Sequence, residues 1–158
     1  MAMSDFNHLD DEGNVHMVDV GGKKASVRVA VAEAMVAMER MTSEKLFAGE
    51  LGKGDALATA RIAAIQAAKQ TPTLIPLCHP IALDRVEVVI ERTPSGARIE
   101  VLAGVTARTG VEMEAMAGAS VGALALYDMI KGIDRGASVE SVRLLSKSGG
   151  KSGEWTRG

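Results

Sequence analysis

The chain has 158 residues, a formal net charge of -2 and one cysteine, Cys78. This length suits a single domain that buries enough surface on folding to need no disulfide or metal staple. The charge argues against a general nucleic-acid binder, which needs a broad cationic surface. One Trp, one Tyr and two Phe are also too few to build a stacking platform for single strands.

Cysteine usage and apolar runs predict where the chain works. A single cysteine allows no internal disulfide, and the N-terminal residues lack the basic region and apolar run of a signal peptide. Apolar stretches are broken before the roughly 18 residues that a bilayer requires. We expect a cytoplasmic protein without a membrane span, folded as one domain over residues 1–158 with residues 1–13 mobile.

The first half of the chain predicts one strand and two helices. Residues 14–20 have the composition of a short strand. Over residues 25–41 a helix is predicted from apolar side chains at helical spacing, namely Val27, Val31, Met35 and Met38. The glycine-rich loop 49–54 leads to Asp55, a suitable N-cap for a second helix that ends near Lys69, before Pro72.

The second half predicts a hairpin, a long helix and a strand. Residues 84–93 alternate apolar and polar side chains, a turn follows at 94–96, and 97–108 continue extended. The spacing of Thr109 and Glu112 matches a capping box, so a helix is predicted from there to about Ile133. A strand at 139–145 precedes a flexible Gly/Ser/Lys tail at 146–158. Hairpin strands with helices to cover one face predict an α+β sandwich rather than a doubly wound parallel sheet.

Asp128 and Lys131 form a candidate acid–base pair. Three residues apart on a helix, they project from nearby directions with about 4.5 Å of rise between them. The ammonium keeps the carboxylate ionised, and partial burial can lower the pKa of a lysine enough for proton transfer. The spacing alone favours the alternative, an ordinary surface ion pair that contributes about 0.3–0.5 kcal/mol.

Glu114 lies on the same predicted helix, but about 21 Å from Asp128 along its axis. One chain therefore cannot bring both carboxylates to one reacting atom. We hypothesise a site shared between subunits, with close approach of a second backbone permitted by the small residues of this helix: Ala117, Gly118, Ala119, Ser120, Gly122, Ala123 and Ala125.

The loop Leu77-Cys78-His79 lies between two prolines that hold it extended. Adjacent Cys78 and His79 lack the spacing of zinc ligands, so we predict no metal site. Cys78 is either a nucleophile or, more commonly for such a residue, a structural thiol, and His79 is better suited to hydrogen-bond a substrate. Scattered cations are candidate anion contacts: Arg28, Lys53, Arg61, Lys69, Arg108, Lys147 and Lys151.

Five separated motifs become specific when taken together. They are KGD at 53–55 with TARIA at 59–63, LIPLCHP at 74–80, TGVEMEAM at 109–116, YDM at 127–129 with Lys131, and KSGGKSG at 147–153. Over roughly residues 14–153 the chain resembles the MoaC family, the cyclic pyranopterin monophosphate synthases of molybdenum cofactor biosynthesis. Two small departures from the family pattern are Ala64, where glycine is usual, and Ile130, where cysteine is common.

The resemblance implies a ferredoxin-like subunit in a homohexamer, a trimer of dimers with sites between subunits. The implied lyase reaction converts (8S)-3',8-cyclo-7,8-dihydro-GTP, made by an upstream radical S-adenosylmethionine enzyme, to cyclic pyranopterin monophosphate and pyrophosphate. No cofactor is implied beyond Mg²⁺ that can accompany the triphosphate. The alternatives from the residues alone are a non-catalytic nucleotide-sensing module and a structural oligomer.

Motif matching also implies roles for individual residues. Asp128 becomes the catalytic acid/base and Lys131 its partner. The implied substrate-binding residues are Leu77, Cys78, His79, Met113 and Glu114, and those that hold the triphosphate or assist proton transfer are Arg28, Lys53 and Lys69. Lys147 and Lys151 belong to the last motif, but the resemblance assigns them no individual role.

Overall fold

The computed structural model describes residues 12–151 and 153–158. Its elements are β1 (Ser26–Ala37), α1 (Arg40–Ala48), α2 (Ala56–Leu74), β2 (Arg85–Thr93), β3 (Gly96–Ala107), α3 (Glu112–Ile130), β4 (Ser138–Ser148) and β5 (Trp155–Thr156). The mobile segment predicted for residues 1–13 lies, up to residue 11, outside the described residues. None of the helices described is both long and apolar enough to cross a membrane.

The five strands form one sheet in the order β2-β3-β1-β4-β5, and all neighbouring strands are antiparallel. Helices α2 and α3 pack together, and both contact the sheet. A strand, a helical segment, two strands, a helix and a strand follow one another in the first seven elements, which is the ferredoxin-like arrangement. The predicted α+β fold is therefore confirmed.

The helix predicted over residues 25–41 is wrong, because most of this segment is the central strand β1. Val27, Val31 and Met35 are four residues apart, a spacing that fits one helix face and one strand face equally well. The face buried under the helices is instead the alternate one, formed by Ala30, Ala32, Ala34 and Val36. Its alanines are only weakly apolar, so the two-residue period was obscured.

Several boundaries in the first half also differ from the predictions. The strand predicted at 14–20 is reduced to a single bridge residue, Val15, and α1 was not predicted. Asp55 does cap α2, accepting a hydrogen bond from the Ala58 amide at 2.9 Å. The helix then continues through Pro72 to Leu74. Pro72 cannot donate to the Ala68 carbonyl, and the Thr71 hydroxyl lies 3.0 Å from that oxygen and replaces the missing donor.

In the second half the hairpin is confirmed, whereas the capping box is wrong. Helix α3 begins at Glu112 after Val111, without a side-chain cap, and ends at Ile130. The Glu112 carboxylate instead pairs with Lys147 Nζ at 2.9 Å. Strand β4 reaches Ser148, three residues into the segment assigned to the tail, and β5 pairs with it.

Close packing of α2 against α3 explains the small residues of α3. A Cβ atom on Gly118 would lie 3.1 Å from the Ala64 carbonyl oxygen, and one on Gly122 would lie 3.1 Å from the Ala64 Cβ. The backbone that approaches these two glycines is therefore α2 of the same chain, not a second subunit as hypothesised. The close contact also means that Ala64, where the family usually has glycine, lies at a tightly packed point.

Gly118→Val is expected to lower the free energy of unfolding by about 1–3 kcal/mol, because its side chain overpacks the α2–α3 contact. Chemical denaturation measures the change. Gly132→Val is the control, since nothing lies within 4 Å of a Cβ at Gly132, and it is expected to change stability by less than about 0.5 kcal/mol. Equal losses in the two variants would contradict the packing explanation.

Candidate active site

Asp128 binds two lysines at the C-terminal end of α3. Its Oδ1 lies 2.7 Å from Lys131 Nζ, and its Oδ2 lies 2.5 Å from Lys53 Nζ. Lys53 Nζ also donates to the Asp128 carbonyl oxygen at 2.8 Å. The predicted pair is thus joined by a third residue, and we call these residues the Asp128 cluster.

Hydrogen bonds first from Lys131 and then from Lys53 lower the pKa of Asp128 to about 2. The same bond raises the pKa of Lys131. The lowered lysine pKa considered from the sequence is therefore wrong for this chain, because Lys131 is half exposed and lies beside a carboxylate. At neutral pH the cluster therefore holds an ionised carboxylate and a protonated Lys131.

The position of the Asp128 cluster argues against a purely structural ion pair. A carboxylate in the last turn of a helix faces the negative end of the helix dipole, which is unfavourable for it. Lys53 comes from the glycine-rich loop before α2, where Gly54 has a φ of 105°. Antiparallel packing of α2 and α3 brings that loop to the end of α3. Two lysines on one exposed carboxylate leave a net positive charge that can face an anion.

A cavity of about 260 Å³ lies at the opposite end of α3. All five residues that the resemblance implies as substrate contacts line it, and we call it the Glu114 pocket. Its other lining residues are Val18, Val20, Lys23, Thr109, Gly110 and Glu112. The loop before β2 and the first turn of α3 thus converge on one space.

Burial raises the pKa of Glu114 to about 7, and the side chain is only 3% exposed. A carboxyl group with this pKa can donate or accept a proton near neutral pH. Burial, and then the charge of Glu114, raises the pKa of Cys78. That shift disfavours the thiolate and weighs against a nucleophilic Cys78. His79 Nε2 lies 2.7 Å from the Val18 carbonyl, which can only accept, so Nε2 carries the hydrogen.

A larger cavity of about 820 Å³ adjoins the Glu114 pocket and shares Lys23, Thr109 and Gly110 with it. Five cations line this basic pocket: Lys23, Lys24, Arg28, Arg108 and Lys151. Ser26 also lines it, and its buried hydroxyl has no hydrogen-bond partner among the described residues. Cationic side chains suit an anionic ligand.

Sequence reasoning missed Lys23 and Lys24, whose only signal is a pair of basic residues just before a strand. Four of the seven candidate cations line neither pocket, namely Lys53, Arg61, Lys69 and Lys147. Lys53 lies with Asp128 rather than with Arg28, and Lys69 is exposed on α2 and lines neither pocket. Arg61 donates to the Val88 carbonyl at 3.4 Å, away from the site.

These features define a ferredoxin-like α+β protein with a carboxylate–lysine cluster and a basic pocket suited to a small anionic ligand. The MoaC family model matches residues 17–150. A cyclic pyranopterin monophosphate synthase from Geobacter metallireducens is 53% identical over 154 residues, covering 96% of this chain and 96% of the relative. The chain belongs to the MoaC family, as the sequence resemblance indicated.

Other relatives match over nearly their whole length. Proteins with the same name from Corynebacterium efficiens and Novosphingobium aromaticivorans are each 48% identical to this chain. The first alignment covers 98% of this chain and 99% of the relative, and the second covers 97% and 98%. All three relatives are named as enzymes, and none of these names supports a non-catalytic sensing module.

Proposed function

We propose that this chain converts (8S)-3',8-cyclo-7,8-dihydro-GTP to cyclic pyranopterin monophosphate with release of pyrophosphate. The observation that carries the proposal is the convergence of Leu77-Cys78-His79 and Met113-Glu114 on one cavity that continues into the basic pocket. The two adjoining cavities match the two parts of a nucleotide derivative, which are a polar ring system and a charged phosphate chain.

The basic pocket suits the triphosphate. Its cations can neutralise the phosphate oxygens and stabilise the charge that develops on the departing pyrophosphate. The Glu114 pocket then receives the base and ribose, where a carboxyl group with a pKa of about 7 can exchange protons during ring opening and closing. The phosphate chain is assigned to the basic pocket because five cations line that cavity, whereas two glutamates line the Glu114 pocket.

The proposal assigns the Asp128 cluster to the same reaction in a neighbouring subunit. Asp128 and Glu114 are 14 residues apart on α3, so about 21 Å of helix separates them. The ionised Asp128 and the protonated Lys131 of one chain would complete the Glu114 pocket of another chain. Lys53 would hold Asp128 in place through its contacts with the carboxylate and the carbonyl of that residue. A homohexamer built as a trimer of dimers provides such shared sites.

The remaining parts of the proposal concern the surroundings of the reaction. The residues described around the basic pocket offer cations where a magnesium site needs carboxylate oxygens, so Mg²⁺ in the reaction enters on the triphosphate. An upstream radical S-adenosylmethionine enzyme supplies the substrate. The reaction takes place in the cytoplasm, where a free cysteine such as Cys78 stays reduced.

The decisive experiment supplies the purified protein with the cyclic dihydro-GTP intermediate. The expected result is equimolar release of pyrophosphate and a pterin product. A coupled enzyme assay measures the pyrophosphate, and fluorescence after oxidation measures the pterin. Binding of the intermediate without either product would favour the nucleotide-sensing alternative and overturn the proposal.

Subunits that are inactive for different reasons should complement each other if sites are shared. Glu114→Ala and Lys131→Ala chains, unfolded and refolded together, are expected to regain activity in about one quarter of sites, because a symmetric interface combines the two patches at random. The control mixes Asp128→Ala with Lys131→Ala. Both of these changes damage the same cluster, so no site is restored. Recovery in neither mixture, with mixed oligomers verified by mass spectrometry, would contradict shared sites.

A further inference from the structure

Arg28 is held in place by the end of β3. Its Nε donates to the Ala107 carbonyl at 3.2 Å, and its Nη2 donates to the Arg108 carbonyl at 3.3 Å. A guanidinium group carries five N–H donors in a fixed plane. Two carbonyl contacts therefore set the plane of the group and leave other donors for the basic pocket, which Arg28 lines.

Gly150 lies directly against this guanidinium group. A Cβ atom at Gly150 would be 2.1 Å from Arg28 Nη1 and 2.6 Å from Arg28 Cζ. The φ of Gly150 is +71°, a conformation that side chains other than glycine rarely adopt. The preceding Gly149 has the same need, since its Cβ would lie 2.1 Å from the Val27 carbonyl oxygen. The backbone can cross Arg28 this closely only without side chains.

Both ends of this crossing segment are anchored to the sheet. Before it, β4 runs to Ser148, and after it β5 pairs with β4 through Lys147 and Trp155. The Arg157 amide adds a hydrogen bond to the Leu145 carbonyl at 2.8 Å. Because the strands on both sides of the loop are paired, a side chain at Gly150 would push the guanidinium group of Arg28 away from the two carbonyls that hold it, rather than move the loop.

We propose that Gly150 is a positioning residue for anion binding: its missing side chain lets the backbone rest on Arg28 and aim the free donors at phosphoryl oxygens in the basic pocket. The inference rests on the proposed function for the identity of the anion, the phosphate chain of the substrate. The contact itself needs no substrate. Gly150 acts through Arg28 and does not touch the reacting atoms.

The test compares two glycines that share a backbone conformation but not a neighbour. Gly150→Ala is expected to weaken binding of inorganic pyrophosphate about tenfold in isothermal titration calorimetry, as loss of an aligned charge-assisted contact implies. The KM for the cyclic dihydro-GTP intermediate should rise similarly, with a smaller change in kcat. Gly153→Ala is the matched control, because Gly153 has a φ of +67° and nothing within 4 Å of its Cβ. It is expected to stay within about twofold of wild type.

A double-mutant cycle separates positioning from loop strain. In an Arg28→Ala background, Gly150→Ala is expected to cause no further loss of pyrophosphate affinity, because the residue through which it acts is gone. Equal losses of pyrophosphate affinity in Gly150→Ala and Gly153→Ala would overturn the inference. Additive losses in the variant that combines Arg28→Ala with Gly150→Ala would also overturn it. Thermal melts of all variants verify that the fold is retained.

The inference and the proposed function fail separately. Turnover by a wild-type protein that binds no added pyrophosphate would overturn the inference alone. Pyrophosphate binding that depends on Gly150, in a protein that never converts the intermediate, would support the inference and overturn the proposed function.

Discussion

Asp128→Asn is expected to lower kcat for pyrophosphate release by about 10²–10⁴-fold, the usual contribution of a positioned acid or base. The asparagine keeps the size of the side chain but loses the charge that holds Lys131 and Lys53 at 2.7 and 2.5 Å. Steady-state kinetics with the cyclic dihydro-GTP intermediate measures the effect. The fold is expected to survive, because Asp128 is half exposed.

Glu87→Gln is the matched control for the loss of an ion pair. Glu87 pairs with Arg85 on β2 at 2.6 Å, and its side chain is 53% exposed against 51% for Asp128. The control should turn over like wild type. Near-normal kcat for Asp128→Asn would restore the surface ion-pair explanation, whereas a large loss in both variants would point to general damage.

Glu114→Gln is expected to make the protein more stable at pH 8, by up to about 3 kcal/mol in the free energy of unfolding. Burial raises the pKa of Glu114 from 4.5 to about 7, so the folded state binds more protons than the unfolded state between these values. Wild-type stability therefore falls as pH rises through this window and levels off above about 7. The glutamine is neutral throughout and removes this dependence.

Chemical denaturation from about pH 4 to pH 8, at one protein concentration, tests the Glu114 prediction. At about pH 4 the wild-type carboxyl is protonated in both states, so the two proteins should be nearly equal there. If the stability of the wild type and of Glu114→Gln changes with pH in the same way across this range, burial does not raise the pKa of Glu114. The same variant should lose turnover if Glu114 exchanges protons with substrate.

Local signals in the sequence were enough for the elements whose causes are local. The hairpin follows from alternation around a turn, and Asp55 caps α2 because its side chain needs only the Ala58 amide three residues on. The wrong predictions also have a physical cause. β1 was taken for a helix because valines four residues apart satisfy both periods, and only pairing with β3 and β4 on both sides decides between them.

The sequence by itself determined the fold class, the family and the chemical groups at hand, including Asp128, Lys131, Glu114 and His79. Tertiary structure alone decided which groups meet. Antiparallel packing of α2 on α3 brings Lys53 to Asp128, and pairing of β1 with β3 and β4 brings Arg108 and Lys151 to the pocket that Arg28 lines. These neighbours are distant in the sequence or carry no motif, because contacts between elements depend on packing of the whole chain rather than on spacing along it.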